Sequence, residues 1–337
     1  MKKKHIIISL LLAGAALYLT FKNLSYTEIR DALRMVQYSY LIYGTILILL
    51  TFVVRAVRWQ HIVKHVKPMT IKELLPPLMI GFMGNMLPAR AGEFIRAYLI
   101  GKKGNISFSS SIATVFIERV FDLLMLLMLL VWVLLFKASL FAHLNIYGKS
   151  VEGLMIKFGY GALALCLGLI IFCYMLLHAT KAIIQPIAYL IRPFPYKFKR
   201  KVFRLIHAFR AGLGMLTSYK TVALVFSMTA LEWFLIVLSN YPFFLAFNLG
   251  YLPYTALVVV IVMVGVFISL LPTPGYLGSF QLATVVALYH IYGVPEVTAA
   301  SFGIITWGVN TAIVAVFGTY FLMTQKISIK ELKAKVE

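Results

Sequence analysis

Charged residues are scarce in this chain of 337 residues. They make up only 13% of the sequence, whereas 61% of the residues are hydrophobic and the mean hydropathy is +0.91. So little polar surface cannot cover a soluble globule of this length, which excludes that class of protein. The sequence therefore indicates an integral membrane protein.

Negative charge is the scarcer sign: 11 Asp and Glu oppose 32 Lys and Arg, for a formal net charge of +21. A basic chain of this kind can bind nucleic acid, but no zinc-finger, helix-turn-helix or RNA-binding signature accompanies the basic residues. They lie between apolar runs, as expected of loops on the cytoplasmic side of a membrane. We therefore predict no nucleic-acid partner.

Cysteine is rare as well, with Cys166 and Cys173 as the only two. They stand seven residues apart in one apolar run, so they can share a helix face but cannot bridge within it. We expect them to face lipid or to pack. The sequence also has no paired-aspartate motif, and His61 and His65 have no carboxylate or cysteine nearby, so we predict no metal and no cofactor.

Several apolar runs reach the length of about 20 residues that a bilayer requires. By that criterion we place six spanning helices, and we expect residues 1–337 to form a single all-α membrane domain. The spans are predicted at about 5–22, 38–58, 108–136, 155–178, 221–247 and 299–323.

Basic residues set the expected orientation. Lysines at 2–4 precede the first apolar run, which we interpret as an uncleaved anchor that starts inside. Segment 25–36 is predicted to lie outside, as a surface helix or a solvated connector. Segment 179–220 carries nine basic residues and no acidic residue, which predicts a cytoplasmic loop. Within it, 198–213 has the pattern of an amphipathic helix, either on an anionic leaflet or across the protein's inner mouth. Both chain termini are then cytoplasmic.

Two stretches of the sequence resemble each other: GFMGNMLPARAGEFIR at 81–96 and GVFISLLPTPGYLGSF at 265–280. In each, a glycine stands seven residues before the proline of a Leu-Pro pair, and a new apolar run follows. We interpret each stretch as two half-helices joined by a turn, a re-entrant hairpin. Ordinary proline-kinked helices are the alternative. The residues that would shape the breaks are Pro88, Gly92, Pro272, Pro274, Gly275 and Gly278.

The positive-inside rule favours entry of the first hairpin from the cytoplasmic face and of the second from the outer face. A half-repeat at about 38–136 then mirrors a half-repeat at about 221–323, which is the arrangement of an inverted repeat. The two hairpins would meet near the bilayer midplane. Their second half-helices, starting near Gly92 and Ser279, would direct positive dipole ends at an anion such as a phosphate.

Charged residues inside apolar sequence form the candidate site. Each is costly in a bilayer, so these residues should pair or line a hydrated cavity. Glu93 and Arg96 lie three apart and can face one another on a helix. A purely structural role, in which Arg90 and Arg119 neutralise the acidic residues, stays open. The candidate substrate-binding residues are Asn85, Arg90, Glu93, Arg96, Glu118, Arg119, Asp122 and Glu232.

Three motifs carry a resemblance to a known family: N-x-LPARAGE-x-x-R from Asn85, ERVFDLL from Glu118 and LPTPGYLGSF from Leu271. Together they resemble the flippase-like family that includes the transmembrane region of lysylphosphatidylglycerol synthases, over about 6–323. The resemblance implies a multi-pass protein of the cytoplasmic membrane that moves a lipid between leaflets. Because the synthases carry a further aminoacyl-transfer domain, we expect a stand-alone member without lysyl transfer. Gln281 stands where the resemblance leads us to expect an acidic residue, which argues against a proton-coupled role there.

We therefore predict a lipid flippase, not an enzyme, acting on an anionic or aminoacylated phospholipid or a polyprenyl-linked lipid. Arg90 and Arg96 would engage the phosphate, with Asn85 adding hydrogen bonds and the acidic residues holding the arginines. Membrane lipids would be its partners, and a homo-oligomer is left open. Two alternatives stand: a membrane-embedded transferase on a lipid-linked substrate, and an accessory subunit that recruits a partner enzyme through its basic inner surface at 195–216.

Overall fold

The computed structural model describes residues 3–86, 91–142, 145–146, 149–150, 152–178, 185, 188–196, 198–200, 202–204, 218–325 and 327. Within these ranges the chain is almost entirely helical, with two antiparallel strands of two residues each, Asn145–Ile146 and Lys149–Ser150. The main helices are α1 (Lys3–Phe21), α2 (Tyr26–Arg34), α3 (Ser39–Val63), α4 (Ile71–Gly84), α5 (Gly92–Gly104), α6 (Phe108–Val131), α7 (Glu152–His178), α8 (Tyr219–Ala246), α9 (Thr255–Leu270), α10 (Ser279–Val285) and α11 (Glu296–Thr324).

Five of these helices are long and apolar enough to cross a membrane: α3, α6 with the π-helical turn that continues it, α7, α8 and α11. α1 and α2 pass the same test only as a pair, bent by 77°, and this pair brings the number of candidate spans in the described residues to up to six. All six coincide with predicted spans. The prediction of an all-α, multi-pass membrane protein is therefore confirmed.

The second span continues beyond its predicted end. The predicted span ends at Arg58, whereas α3 continues to Val63. The extension forms because Trp59, Ile62 and Val63 are fully buried against neighbouring helices. Arg58, at the end of the predicted span, consequently lies five residues before the end of the helix.

The first break falls where the sequence predicts it, since α4 ends at Gly84 and α5 begins at Gly92. The two helices approach closely through glycine: a Cβ added to Gly84 would lie 2.8 Å from the Cα of Gly92. A methyl group on Gly92 would overlap the carbonyl oxygen of Gly81. Small residues are therefore required where α4 and α5 cross. Pro88 and Arg90 lie outside the described residues.

The second break separates α9 from α10, and α10 begins at Ser279 as predicted. A short 3₁₀ turn, Pro274–Tyr276, lies between the two helices. Gly275 and Gly278 have φ angles of 58° and 84°. These are left-handed values that glycine adopts without steric cost, which explains the choice of residue at both positions.

Neighbouring helices hold this second break in place. The Ser9 hydroxyl of α1 donates a hydrogen bond to the carbonyl oxygen of Pro272 at 2.8 Å. The indole N–H of Trp307 on α11 donates to the carbonyl oxygen of Gly275, also at 2.8 Å. Backbone carbonyls that a helix would otherwise satisfy are thus paired inside the protein, as membrane depth requires.

Gln281 has a capping role at the start of α10. Its side-chain oxygen Oε1 accepts a hydrogen bond from the backbone N–H of Gly278 at 2.8 Å, and the side chain is buried. Capping of this kind needs a side-chain oxygen and no charge. An amide therefore suffices at this position.

The two breaks touch each other. A Cβ added to Gly275 would lie 3.8 Å from the Cα of Met86, which follows α4. α11 packs against α4 where Gly318 meets Met83, and it also packs against α10. This proximity agrees with the prediction that the two breaks meet, whereas the re-entrant hairpins, their entry from opposite faces and the inverted repeat stay predictions.

Segment 25–36 contains the helix α2, which Ser25 caps. The backbone N–H of Ser25 donates to the Glu28 carboxylate at 2.7 Å, and this hydrogen bond holds the pKa of Glu28 below its ordinary value. The segment therefore forms a helix, none of whose residues is buried, as the surface-helix interpretation predicts, whereas its place on the outer side stays a prediction.

The remaining predictions for this part of the chain concern the cysteines and the basic loop. Cys166 is buried in one cluster with Leu127 and Ala162, so it packs as predicted, whereas the Cys173 side chain lies outside the described part. Of the predicted amphipathic helix at 198–213, only 198–200 and 202–204 are described, and both pieces are helical.

We predict that Gly92→Ala destabilises the fold by about 1–3 kcal/mol, the range for overpacking, because the added methyl group would overlap the Gly81 carbonyl oxygen. Thermal unfolding of the purified protein in detergent would show a lower midpoint temperature. Gly161→Ala is the matched control, since a Cβ at Gly161 meets nothing within 4 Å. Equal midpoints for the two variants would contradict the close packing of α4 on α5.

Candidate functional site

Four helices bring their charged residues together in one ion-pair cluster. The residues that share it are Arg55 and Arg58 of α3, Glu93 and Arg96 of α5, Glu118, Arg119 and Asp122 of α6, and Glu232 of α8. Four guanidinium groups thus face four carboxylates. The formal charges of the cluster cancel.

Arg58 lies at the centre of the cluster, with a side chain that is 0% exposed. Its Nη1 is 2.6 Å from Asp122 Oδ1 and 3.1 Å from Glu232 Oε2, and its Nη2 is 3.3 Å from Glu118 Oε1. Nη1 also donates to the Thr229 hydroxyl at 3.1 Å. One guanidinium group therefore ties α3 to α6 and α8.

Arg96 forms a forked pair with Glu118. Its Nη1 donates to Glu118 Oε1 at 2.9 Å, and its Nη2 donates to Oε2 of the same carboxylate. The guanidinium carbon lies 3.6 Å from the centre of the Trp59 ring, and the Trp59 indole N–H donates to Thr114 at 3.2 Å. Bidentate pairing and ring stacking together fix the Arg96 side chain, which is buried.

Arg119 and Glu93 form the more exposed end of the cluster, with side chains that are 34% and 42% exposed. Arg119 lies 2.8 Å from Glu118, 3.2 Å from Asp122 and 3.7 Å from Glu93. It therefore neutralises all three acidic residues, as the structural alternative predicts. Glu93 and Arg96 each have their ion-pair partner on α6, so the pairing predicted between them is replaced by contacts across helices.

Arg55 and Glu232 connect the cluster to a cavity. Arg55 Nε is 2.8 Å from Glu232 Oε1, although its N–H does not point at that oxygen, so the pair is a charge contact without an aligned hydrogen bond. The Arg55 guanidinium carbon lies 4.8 Å from the ring centre of Phe82 and 5.7 Å from that of Phe52. Glu232, isolated in the sequence, thus has Arg55 and Arg58 as partners.

The cluster lies deep along its helices. Glu118 is ten residues into α6, about 15 Å along the axis, and Glu232 is thirteen residues into α8, about 20 Å along the axis. The hydrocarbon core of a bilayer is about 30 Å thick. These charges therefore belong to the membrane interior, where pairing is required.

A cavity of about 290 Å³ lies beside the cluster, between α3, α8, α9 and α11. Both helix breaks contribute to its wall, through Met86 on one side and through Gly275 and Tyr276 on the other. Most of the described lining is apolar, and Arg55 is the one charged residue in it. The polar lining residues are Thr51, Trp233, Ser239, Asn240, Tyr276, Trp307, Asn310 and Thr311.

The predicted site residues are thus largely brought together. Six of the eight lie in the cluster: Glu93, Arg96, Glu118, Arg119, Asp122 and Glu232. Asn85 follows α4, and its side-chain oxygen is buried with no hydrogen-bond partner among the described residues. Arg90 lies outside those residues.

Sequence reasoning missed Arg55 and Arg58. A usable signal was present, because the run RAVRW places two arginines three residues apart with apolar residues between and after them. Both arginines stand in the last turn of the predicted span 38–58, and continuing the helical pattern through Ile62 and Val63 would have put them well before the end of the helix.

The structure does not favour a metal site in the cluster. Within the described residues, no group of three or more His, Cys, Asp or Glu side chains could hold a metal ion. The oxygens of Glu118 and Asp122, which the sequence made the nearest candidates, face the guanidinium groups of Arg58, Arg96 and Arg119. A divalent cation would have to displace these arginines.

Together these features define an all-helical, multi-pass membrane protein with a neutral ion-pair cluster beside a cavity that two broken helices help to line. The chain belongs to the family described as lysylphosphatidylglycerol synthase TM region, whose sequence profile matches residues 6–318. The resemblance carried by the three sequence motifs is therefore confirmed.

Relatives of this chain include two archaeal membrane proteins. A UPF0104 membrane protein of Methanocaldococcus jannaschii is 26% identical over 169 residues, which are 50% of this chain and 63%, less than two thirds, of the relative. A UPF0104 membrane protein of Methanothermobacter thermautotrophicus is 26% identical over 294 residues, 81% of this chain and 82% of the relative.

A third relative has an enzyme name. The glycosyltransferase AglD of Haloferax volcanii is 28% identical over 125 residues, which are 36% of this chain and 20% of the relative. No solved structure matches the chain.

Replacing Arg58 by glutamine is predicted to destabilise the fold by about 3–5 kcal/mol, because three buried carboxylates then lose a counter-charge. The yield of monodisperse protein and its thermal unfolding in detergent measure the effect. The matched control is Arg34→Gln, since Arg34 is 71% exposed and 4.0 Å from Asp31, a surface pair worth about 0–1 kcal/mol. If both variants lost the same stability, the cluster would not be holding the helices together.

Proposed function

We propose that this protein moves a lipid with a phosphate-bearing head group between the leaflets of the cytoplasmic membrane. The substrate class is an anionic or aminoacylated phospholipid or a polyprenyl-linked lipid. The observation that carries the proposal is the cavity of about 290 Å³, which combines apolar walls, polar groups and one guanidinium group. Membership of a family named for the membrane region of a lipid-modifying synthase supports it.

A head group that crosses the hydrocarbon core meets the same desolvation cost as a charged side chain. A protein lowers this barrier when it offers polar partners at membrane depth while the acyl chains stay in lipid. The cavity provides such partners next to both helix breaks. Broken helices line the substrate sites of many transporters, because their free backbone groups and dipole ends face the substrate.

The ion-pair cluster has a positioning role in this proposal. Arg96 directs both terminal nitrogens at Glu118 and stacks on Trp59, so its geometry favours holding α5 against α6 over binding a phosphate. Arg90 keeps the phosphate-binding role that the sequence predicts for the first break. Asn85, whose side-chain oxygen is buried without a hydrogen-bond partner among the described residues, would add hydrogen bonds by donating from its side-chain amide nitrogen.

The proposed topology has both chain termini in the cytoplasm and the two hairpins entering from opposite faces. The basic residues between the spans support this orientation. The shared place of Gly275 and Met86 in the cavity wall supports a meeting of the hairpins inside the membrane. In an inverted repeat, rocking of the two halves would expose the cavity to each leaflet in turn.

A membrane-embedded transferase is the second candidate, favoured by the similarity to the glycosyltransferase AglD over 125 residues. Enzymes of this kind that act on a diphosphate commonly need a divalent metal held by carboxylates. Glu118 and Asp122, the nearest carboxylate pair, are engaged by arginines. Activity that depends on a divalent metal would favour this candidate over a flippase.

Purified protein in liposomes is predicted to move fluorescent lipids of at least one class among phosphatidylglycerol, lysylated phosphatidylglycerol and polyprenyl phosphate. Quenching of the outer leaflet by a membrane-impermeant reductant measures the movement. Thr311→Trp should slow it by about tenfold or more, because the indole would occupy the cavity that Thr311 lines.

Ala312→Trp is the matched control, because Ala312 is the next residue of α11 and faces outward. The control should transport lipid at the rate of the unmodified protein. Wild-type rates in Thr311→Trp would place the lipid path elsewhere. Well-folded protein that moves none of the three lipid classes would contradict the flippase function itself.

A further inference from the structure

Arg55 differs from the other arginines of the cluster in what surrounds it. Among the described residues it contacts one carboxylate, Glu232, and it also lines the cavity with a side chain that is 16% exposed. Arg58 contacts three carboxylates and is sealed from the cavity, and Arg96 is forked onto Glu118. Arg55 is therefore the arginine that the cavity presents to an incoming anion.

Another anion can replace Glu232 as the ion-pair partner of Arg55. The Arg55 N–H does not point at the Glu232 oxygen, so the pair lacks the alignment of a strong charge-assisted hydrogen bond. Glu232 would not be stranded without Arg55, because Arg58 lies 3.1 Å from its second oxygen. Exchange of Glu232 for another anion at Arg55 therefore leaves Glu232 with Arg58, which it shares with Glu118 and Asp122, as its cation partner.

The rings of Phe82 and Phe52 hold the Arg55 guanidinium group in position. Their ring centres lie 4.8 Å and 5.7 Å from its central carbon, within the range of a cation–π contact. This support does not use the hydrogen-bonding edge of the guanidinium group. Arg55 can thus change its anion without losing its place in the cavity wall.

Trp233 lines the same cavity and carries a second hydrogen-bond donor. Its indole nitrogen Nε1 is buried and has no hydrogen-bond partner among the described residues. A buried donor without a partner costs free energy, which a bound acceptor would recover. Trp233 follows Glu232 on α8, so this donor lies on the same element as the carboxylate that Arg55 contacts.

We propose that Arg55 and Trp233 form a phosphate oxyanion site in the cavity, in which Arg55 exchanges Glu232 for the phosphate of a phosphate ester. When the phosphate belongs to a lipid head group, this site rests on the proposed function. A forked guanidinium group and an N–H donor recognise two oxygens of one phosphate. The site does not include Arg96, one of the arginines to which the sequence assigned the phosphate, because Arg96 is forked onto Glu118.

Calorimetric titration of the purified protein in detergent tests the site without any transport. The probes are dihexanoyl phosphatidic acid, dihexanoylglycerol, which lacks the phosphate, and inorganic phosphate. We expect the phosphatidic acid to bind and dihexanoylglycerol to bind at least about tenfold more weakly. Inorganic phosphate that binds as tightly as the lipid would identify free phosphate as the ligand, and weaker binding would identify a lipid head group.

Three variants test the site, two of which should weaken the binding of phosphatidic acid and one of which should tighten it. Arg55→Gln should weaken phosphatidic acid binding by about tenfold or more, and Trp233→Phe, which removes only the donor, by about tenfold. Glu232→Gln should tighten it by roughly fivefold, because the competing carboxylate is gone. Arg34→Gln, on the exposed face of α2, is the control and should leave binding unchanged.

Weaker binding in Glu232→Gln, or unchanged binding in Trp233→Phe, would overturn the proposed site. Trp233→Phe keeps the test valid if Arg55→Gln fails to fold. Because binding is read without transport, the two proposals can fail separately. Phosphate binding with the expected variant effects but no lipid movement would contradict the flippase, and lipid movement with unaltered binding in the variants would contradict this site alone.

Discussion

The packing of the helices in this protein depends on the high free-energy cost of an unpaired charge inside a bilayer. An ionised side chain at the centre of a membrane helix costs about 2.5–3.5 kcal/mol on insertion scales, and the cluster gathers eight such groups from α3, α5, α6 and α8. Their charges cancel only while these four helices stay together. Arg58, in contact with carboxylates on two other helices, makes the largest contribution to that constraint. The helices are therefore held by charge as well as by apolar packing.

Neutrality also decides which groups are free to act on a substrate. A cluster that compensates its own charges is stable without a ligand, so most of its members have positions fixed by their partners, as Arg96 has by Glu118 and Trp59. Arg55 is the exception, because it contacts one carboxylate among the described residues and reaches the cavity. The same network can thus hold four helices and present one cation to the space beside the helix breaks.

The features that the sequence predicted well are those with local causes. Apolar length located the six spans, and glycine with proline located the breaks, so that α5 and α10 begin at Gly92 and Ser279. The ion-pair partners in the cluster were missed because they depend on residues far apart in the sequence. Helical spacing paired Arg96 with Glu93, whereas Arg96 donates to Glu118 on another helix. Arg58 was missed as a site residue because it stands at the charge where a count of apolar residues ends the span. Tertiary burial continues the helix beyond this residue.

The most direct test is an electron cryomicroscopy map of the protein in nanodiscs that contain phosphatidylglycerol. Head-group density inside the cavity, in contact with Arg55 and with acyl chains leaving between the helices, is the expected result, with Arg58 and Arg96 still paired to their carboxylates. A cavity that stays free of lipid while a phosphate lies against Arg96, with its pair to Glu118 broken, would contradict the assignment of structural and ligand-binding roles within the cluster.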